Sequence, residues 1–167
     1  GLDPNEKSLE PYRKWFAQQN PSGYIDTVME LANVDSITMT NEVFSDHERQ
    51  LWENDPGVCD DPRFEAVLRI DLMLRDWPEA AGKLKQWGYD VTPEFTQTTI
   101  DETKRFLGDW IEKMGAVYVA MSLPPEFVYP TPGPGKEGEA INTVIEKIMM
   151  PVLAERGLPW AMMIGSQ

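Results

Sequence analysis

The chain of 167 residues is long enough for one domain with a hydrophobic core and too short for two domains of ordinary size. Its composition, with 41% hydrophobic and 26% charged residues, is typical of a soluble globular protein and not of a disordered segment. The formal net charge of −13 disfavours nucleic acid and anionic membrane surfaces as partners, because both would be repelled. A complete (β/α)8 barrel needs about 250 residues, so a barrel pattern in this chain would have to be part of one.

The chain contains one cysteine and one histidine. Cys59 cannot form an internal disulfide, and neither a signal peptide nor a membrane-spanning stretch is recognisable, so we expect a cytoplasmic protein. His47 stands between Asp46 and Glu48 in a predicted helix, where we expect a solvated surface histidine. A zinc site of histidines and thiolates cannot be assembled from these residues, so we expect no metal site within the chain.

The opening of the chain predicts two helices and a strand. Apolar residues at spacings of three and four favour helices over 5–19 and 24–32. The stretch 36–41 is short and rich in β-branched residues, and it predicts a first strand that ends in small polar groups.

A capping-box pattern introduces the next helix. Ser45 and Glu48 have the spacing at which each side chain can bond the other's backbone N–H, which predicts a helix as far as Glu53. A loop over 54–62 follows, and the apolar run 66–71 predicts the second strand.

Two helices are predicted after the second strand. Asp76 is expected to cap a helix over 77–87, in which a proline is tolerated in the first turn. Thr99 and Glu102 form a second capping-box pattern, which predicts the start of a helix that ends at Met114.

The last part of the chain predicts two strands that flank a long loop and a helix. The strands are 116–122 and 160–165, and the loop 123–138 is rich in proline and glycine. The helix is predicted over 139–155, with a kink or a restart at Pro151.

The order of these elements predicts the fold class. Nearly continuous apolar strands that alternate with helices indicate an α/β fold with a parallel sheet buried on both faces. We expect a single α/β unit over 1–167, of about four βα units, that forms part of a (β/α)8 TIM barrel. A small open doubly wound sheet is the alternative.

Arg69 is the most informative residue, because an arginine in an apolar strand must be paired or must face a wet cavity. Its planar fork suits a carboxylate ligand. An internal salt bridge with Asp71, two residues further along the strand, is an equally strong interpretation of the spacing. The sequence alone leaves these two interpretations open.

Four segments in order carry a resemblance to a known family. They are ITMTNEVFSDHERQLW, RFEAVLRIDLMLRDW, AVYVAMSLPP and LPWAMMIG. As a set they resemble the middle of the uronate isomerases, in the amidohydrolase superfamily of (β/α)8 barrels. The resemblance runs over most of residues 25–165.

The resemblance implies a function for the ends of the first two strands. In that family an arginine in an R-x-D segment binds the carboxylate of a sugar acid. It implies substrate-binding roles for Arg69, Asp71, Thr40 and Asn41, and an aldose–ketose isomerisation of a hexuronate such as D-glucuronate to D-fructuronate. Catalytic residues are not identified, and positive charges from flanking loops are expected to assist, namely those of Arg63, Arg75 and Lys136.

The resemblance also implies a divalent, zinc-like metal in the complete enzyme. Its expected ligands are an H-x-H pair before Gly1 and an aspartate after Gln167, so we expect a fragment that is inactive alone. Family members further carry histidines where this chain has Met163 and either Ala120 or Met121.

Three hypotheses follow for the function. The first is a part of a uronate isomerase whose partner is a small sugar acid. The second is a catalytically silent or divergent homologue, and the third is a self-contained α/β binding module with a structural arginine. A homo-oligomer stays open under all three.

Overall fold

The computed structural model describes residues 3–5, 7–55, 60–132 and 136–165, with the side chains of 136 and 137 left aside. The sequence predicted one unit over 1–167, whereas the contacts divide the chain into two compact units, Gly1–Ile37 and Thr38–Gln167. The first unit contains helices α1 (Glu10–Ala17) and α2 (Pro21–Ala32). The predicted parallel α/β architecture belongs to the second unit.

The second unit is built on four strands that follow the predicted segments to within a few residues. The strands pair in their order along the chain, and the central and last pairs are parallel. Their bounds are β1 (Ile37–Glu42), β2 (Phe64–Arg69), β3 (Tyr118–Leu123) and β4 (Trp160–Ile164). The α/β fold with parallel strands is confirmed, and the strand order lacks the reversal that a doubly wound sheet requires.

The connections between the strands are helical. They are α3 (Asp46–Asn54), α4 (Asp71–Arg75), α5 (Trp77–Gln86), α6 (Gln97–Met114), α7 (Lys136–Thr143) and α8 (Met150–Arg156). A π-helical segment, Val144–Met149, joins α7 to α8 directly before Pro151. Since proline has no N–H to donate, a change of helical hydrogen bonding just ahead of it fits the predicted restart.

The two predicted capping boxes do not form as expected. Ser45 precedes α3, but its side chain makes no hydrogen bond to the first turn of the helix. Glu48 accepts from the backbone N–H of Glu42 at 2.8 Å instead of from that of Ser45. At α6 the cap is Thr96, which accepts from the Thr99 N–H at 3.1 Å, so the helix begins earlier than predicted. The predicted cap of α5 by Asp76 is confirmed.

The helices pack against one face of the sheet. The core draws on Leu68 of β2, Ile70 directly after it and Met121 of β3, together with Phe106 of α6 and Ile148 of the π-helical segment. Each of these side chains is fully buried. We call this the helix-side face.

The opposite face is buried at its middle, in line with the predicted burial of both faces, but it is polar at its ends. Val67 and Ala120 at its middle are buried yet lie outside the helix-side core. Thr38 of β1 donates to Glu65 of β2 at 3.3 Å, and Arg69 lies at the other end of β2. An apolar run of sequence predicts the buried middle of this face but does not reveal its polar ends.

Candidate functional site

Three neighbouring strands of the second unit end in polar side chains on the face opposite the helices. Glu42 ends β1, Arg69 ends β2, and Ser122 is the penultimate residue of β3. Together with Asp71, which follows β2, these residues form what we call the Arg69 cluster. In parallel α/β folds, ligands bind beyond the carboxyl ends of the strands, so the cluster occupies the expected place for a site.

The local backbone explains how Asp71 reaches Arg69. The sequence predicted a strand through 71, but β2 ends at Arg69 and α4 begins at Asp71. The residue between them, Ile70, leaves the extended conformation with φ −130° and ψ 30°, while its side chain stays buried in the core. The two side chains therefore meet across a strand-to-helix turn and not along one strand.

Arg69 and Asp71 form a bidentate ion pair. The Nε of Arg69 donates to Oδ2 of Asp71 at 3.0 Å, and its Nη2 donates to Oδ1 at 2.6 Å. The side chain of Asp71 is only 6% exposed, against 27% for that of Arg69. The hydrogen bond to Asp71 and the nearby negative charges hold the pKa of Arg69 above its ordinary value despite partial burial. The internal salt bridge that the sequence left open is thus present.

Ser122 connects the ion pair to the next strand. Its backbone N–H donates to Oδ1 of Asp71 at 2.9 Å, and its Oγ accepts from Nη2 of Arg69 at 3.0 Å. The remaining guanidinium nitrogen, Nη1 of Arg69, donates to no other residue that the structure describes. Arg69 is therefore fixed in one orientation with one nitrogen left for a ligand.

Glu42 is a second titratable group of this cluster. Burial and the charge of Asp71 raise its pKa from 4.5 to about 6, against the opposing effects of the Phe44 N–H and Arg69. Its Oε1 accepts from the N–H of Phe44 at 3.3 Å. A carboxyl group that titrates near 6 can gain or release a proton close to neutral pH, which is the property of a general acid or base.

Among solved structures, the chain is similar to the crystal structure of a uronate isomerase from Bacillus halodurans C-125. The match has a TM-score of 0.87 and 41% sequence identity, and it covers 99% of this chain. The resemblance to uronate isomerases is confirmed. The chain spans 37% of the length of that isomerase. No protein-family profile and no curated protein sequence matches the chain.

The positions of the other predicted substrate-binding residues can be compared with that of Arg69. Thr40 is exposed and lies, by the alternation of β1, on the same face as Glu42 and Arg69. Asn41 is half-buried and alternates to the helix-side face, where its Oδ1 is buried without a hydrogen-bond partner. The structure brings Asp71 to Arg69 but shows no contact of Thr40 or Asn41 with that arginine.

Two of the three expected auxiliary cations, Arg63 and Arg75, have no described contact with the Arg69 cluster. Arg63 precedes β2 at the opposite end of the sheet and forms a fork with Asp61, with Nη2 to Oδ2 at 2.6 Å. Arg75 is exposed at the end of α4 and lines a separate cavity of about 670 Å³, beside the stacked rings of Trp77 and Phe95. The side chain of Lys136 is outside the described residues.

Glu42 is the functional candidate that sequence reasoning under-weighted. It directly follows the predicted first strand, but the family resemblance implied roles only for the two residues before it, Thr40 and Asn41. The signal was its position before the apolar pair Val43 and Phe44, which are both buried, because a carboxyl group beside a buried segment is itself more easily desolvated.

The sequence resemblance led us to expect the ligands of a metal outside this chain. In the described ranges no three histidine, cysteine, aspartate or glutamate side chains are grouped to hold a metal ion. His47 lies exposed on α3, as predicted, and Cys59 is outside the described residues. No described helix is long and apolar enough to cross a bilayer.

Proposed function

We propose that this chain supplies the part of a uronate-isomerase-like (β/α)8 protein that binds the carboxylate of a sugar acid. The observation that carries the proposal is the arrangement of Arg69, which Asp71 and Ser122 hold in place while no described residue accepts a hydrogen bond from its Nη1. The likeness to the isomerase at 41% identity supports the substrate class. A cytoplasmic setting belongs to the same proposal.

The proposed reaction is the interconversion of an aldose and a ketose form of a hexuronate, such as D-glucuronate and D-fructuronate. It moves a proton between C1 and C2 through an enediol. Within this chain, Arg69 would hold the C6 carboxylate at the far end of the sugar. Binding energy at a remote carboxylate helps to orient the carbons that react.

The electrostatics of the cluster set a condition on this proposal. Asp71 already neutralises Arg69, and Glu42 and Glu48 add further negative charge nearby. An anionic ligand is therefore favoured when Glu42 is protonated. Because its pKa is about 6, binding of a hexuronate is expected to strengthen as the pH falls from 7 towards 5.

The test is a titration of the chain with D-glucuronate, followed by NMR shifts of labelled protein, with neutral D-glucose as the control ligand. We expect Arg69→Lys, which keeps the charge and loses the fork, to weaken glucuronate binding about tenfold. The matched control is Arg63→Lys, at the other end of β2, which is expected to bind as the parent does. Equal binding of glucuronate by both variants, or no binding by the parent, would refute the proposal.

A structural arginine is the second candidate role, and a specific observation favours it. Both oxygens of Asp71 accept hydrogen bonds from Arg69, and one of them also accepts from the N–H of Ser122, so the buried carboxylate is fully paired within the protein. A silent homologue or a binding module would keep this network for folding alone. A purely structural role predicts that Arg69→Lys changes the stability of the chain and that the parent chain does not bind glucuronate.

A further inference from the structure

Ser122 holds an unusual position in the Arg69 cluster, because its hydroxyl serves the arginine only as an acceptor. Oγ accepts from Nη2 of Arg69 at 3.0 Å, while the backbone N–H of Ser122 donates to Asp71 at 2.9 Å. No described residue accepts the hydrogen of the hydroxyl itself. A serine hydroxyl has one hydrogen to donate besides its two lone pairs, so this donor remains available.

The hydroxyl oxygen of Ser122 lies 3.0 Å from Nη2 of Arg69, on the same guanidinium that carries Nη1. The strand register pairs Arg69 with Ala120, so Ser122 is two residues nearer the carboxyl end of β3 on the same face. The small side chain of Ala120, which is buried, lets Arg69 extend past it to Ser122. Nη1 of Arg69 and the hydroxyl of Ser122 are then two donors at the ends of neighbouring strands.

We propose that Ser122 is a substrate-binding residue that donates its hydroxyl hydrogen to the same sugar-acid carboxylate that Arg69 binds. The inference rests on the proposed function and adds a second, neutral donor to it. Because Asp71 already occupies Nε and one hydrogen of Nη2, Arg69 cannot present its usual two-nitrogen side fork to a ligand. A carboxylate has two oxygens. In place of the fork, Nη1 of Arg69 donates to one oxygen and the hydroxyl of Ser122 donates to the other.

The same bonding pattern separates this role from a merely structural one. In Ser122→Ala the backbone bond from residue 122 to Asp71 remains, so the ion pair keeps its position. What is lost is the acceptor for Nη2 and the hydroxyl donor. The loss of the donor should weaken the binding of a ligand with a carboxylate more than that of a neutral ligand, whereas the loss of the acceptor should affect both ligands alike.

The test compares the affinities of the chain for D-glucuronate and for the neutral amide D-glucuronamide, measured by NMR titration. Ser122→Ala is expected to weaken glucuronate about tenfold, the effect of a hydrogen bond to a charged group, and the amide much less. Ser122→Thr keeps the hydroxyl and is expected to restore glucuronate binding. Ser45→Ala is the matched control, because that serine makes no side-chain cap to α3.

Each outcome decides between the two proposals. A selective loss of glucuronate in Ser122→Ala that Ser122→Thr restores supports the role of Ser122. If Ser122→Ala loses affinity equally for both ligands, or loses none, the role of Ser122 is overturned. The proposed function still stands in that case if Arg69→Lys weakens glucuronate binding. If the parent chain binds no glucuronate, the proposed function fails and the inference about Ser122 fails with it.

Discussion

Two arginine–aspartate pairs bracket β2, one at each end, with the same two-residue spacing. At the amino end, Nε and Nη2 of Arg63 donate to the two carboxylate oxygens of Asp61. At the carboxyl end, Nε and Nη2 of Arg69 donate to those of Asp71 in the same way. The Asp61 side chain is 36% exposed, whereas that of Asp71 is 6% exposed. The chemistry of the two pairs is equal, and their surroundings differ.

The difference shows how environment decides what an ion pair can do. The bond to Arg63 lowers the pKa of Asp61 to about 2, and both residues belong to the loop that precedes β2. The Arg69 pair instead reaches β3 through Ser122 and lies close enough to Glu42 to influence its pKa. The carboxyl-end pair is therefore hydrogen-bonded to a neighbouring strand, and its charges influence Glu42 at the end of β1.

The largest expected effect is on stability, from a comparison of Asp71→Ala with Asp61→Ala. Asp71→Ala removes the partner of a partly buried guanidinium and an acceptor of the Ser122 N–H, and should cost about 3 kcal/mol of unfolding free energy. Asp61→Ala removes an exposed pair and should cost a small fraction of that. Urea denaturation of both variants measures the difference, and similar midpoints would contradict the distinction between the two ends.

A smaller effect is expected from the titration of Glu42. Its folded pKa of about 6 lies above its ordinary value of 4.5, so its protonation favours the folded state. This contribution to stability should therefore grow as the pH falls from about 6 to 4.5 and be absent at higher pH. The difference in unfolding free energy between the parent and Glu42→Gln, measured across that range, should show the rise, and a flat difference would contradict it.

The same substitution sharpens the account of binding. Glu42→Gln removes a negative charge close to Arg69, so it should tighten glucuronate binding at pH 7 and make the affinity nearly independent of pH between 5 and 7. Glu65→Gln, on the same face near the amino end of β2, provides the control. Weaker binding in Glu42→Gln would mean that Glu42 contacts the ligand directly.

The smallest effect is expected at the amino-end pair under acid conditions. The folded pKa of Asp61, about 2, lies below its ordinary value of 3.8, so its ionised form contributes stability above pH 3.8. That contribution should be lost as the pH falls through about 2, and Asp61→Asn should lack it. Acid denaturation curves of the two proteins are expected to converge at the lowest pH, and a constant separation would contradict this.

Much of the fold could be predicted from the sequence, because the apolar runs and the glycine terminators carry local information. Gly115 and Gly157 end their helices in the left-handed conformation, with φ of 58° and 64°, as their positions after the predicted helices indicated. Arg69 could be selected as a candidate site residue because an arginine in an apolar strand must be paired or must face water. These signals depend on few neighbours along the chain.

The remaining features depend on contacts that sequence spacing does not encode. Glu48 bonds the N–H of Glu42 and not that of Ser45, since the end of β1 brings another donor within its reach. The turn at Ile70 that brings Asp71 back to Arg69 replaced a predicted strand residue with the first residue of a helix. Ser122 lies 53 residues from Arg69, and only the parallel register of β2 and β3 joins them.

The most direct measurement for the central claim follows the side-chain N–H signals of both arginines by NMR while D-glucuronate is added. The account predicts that the guanidinium signals of Arg69 shift with the ligand, that those of Arg63 stay in place, and that D-glucose moves neither. Unmoved Arg69 signals at saturating glucuronate, or equal shifts at the two arginines, would contradict a carboxylate site at the carboxyl end of β2.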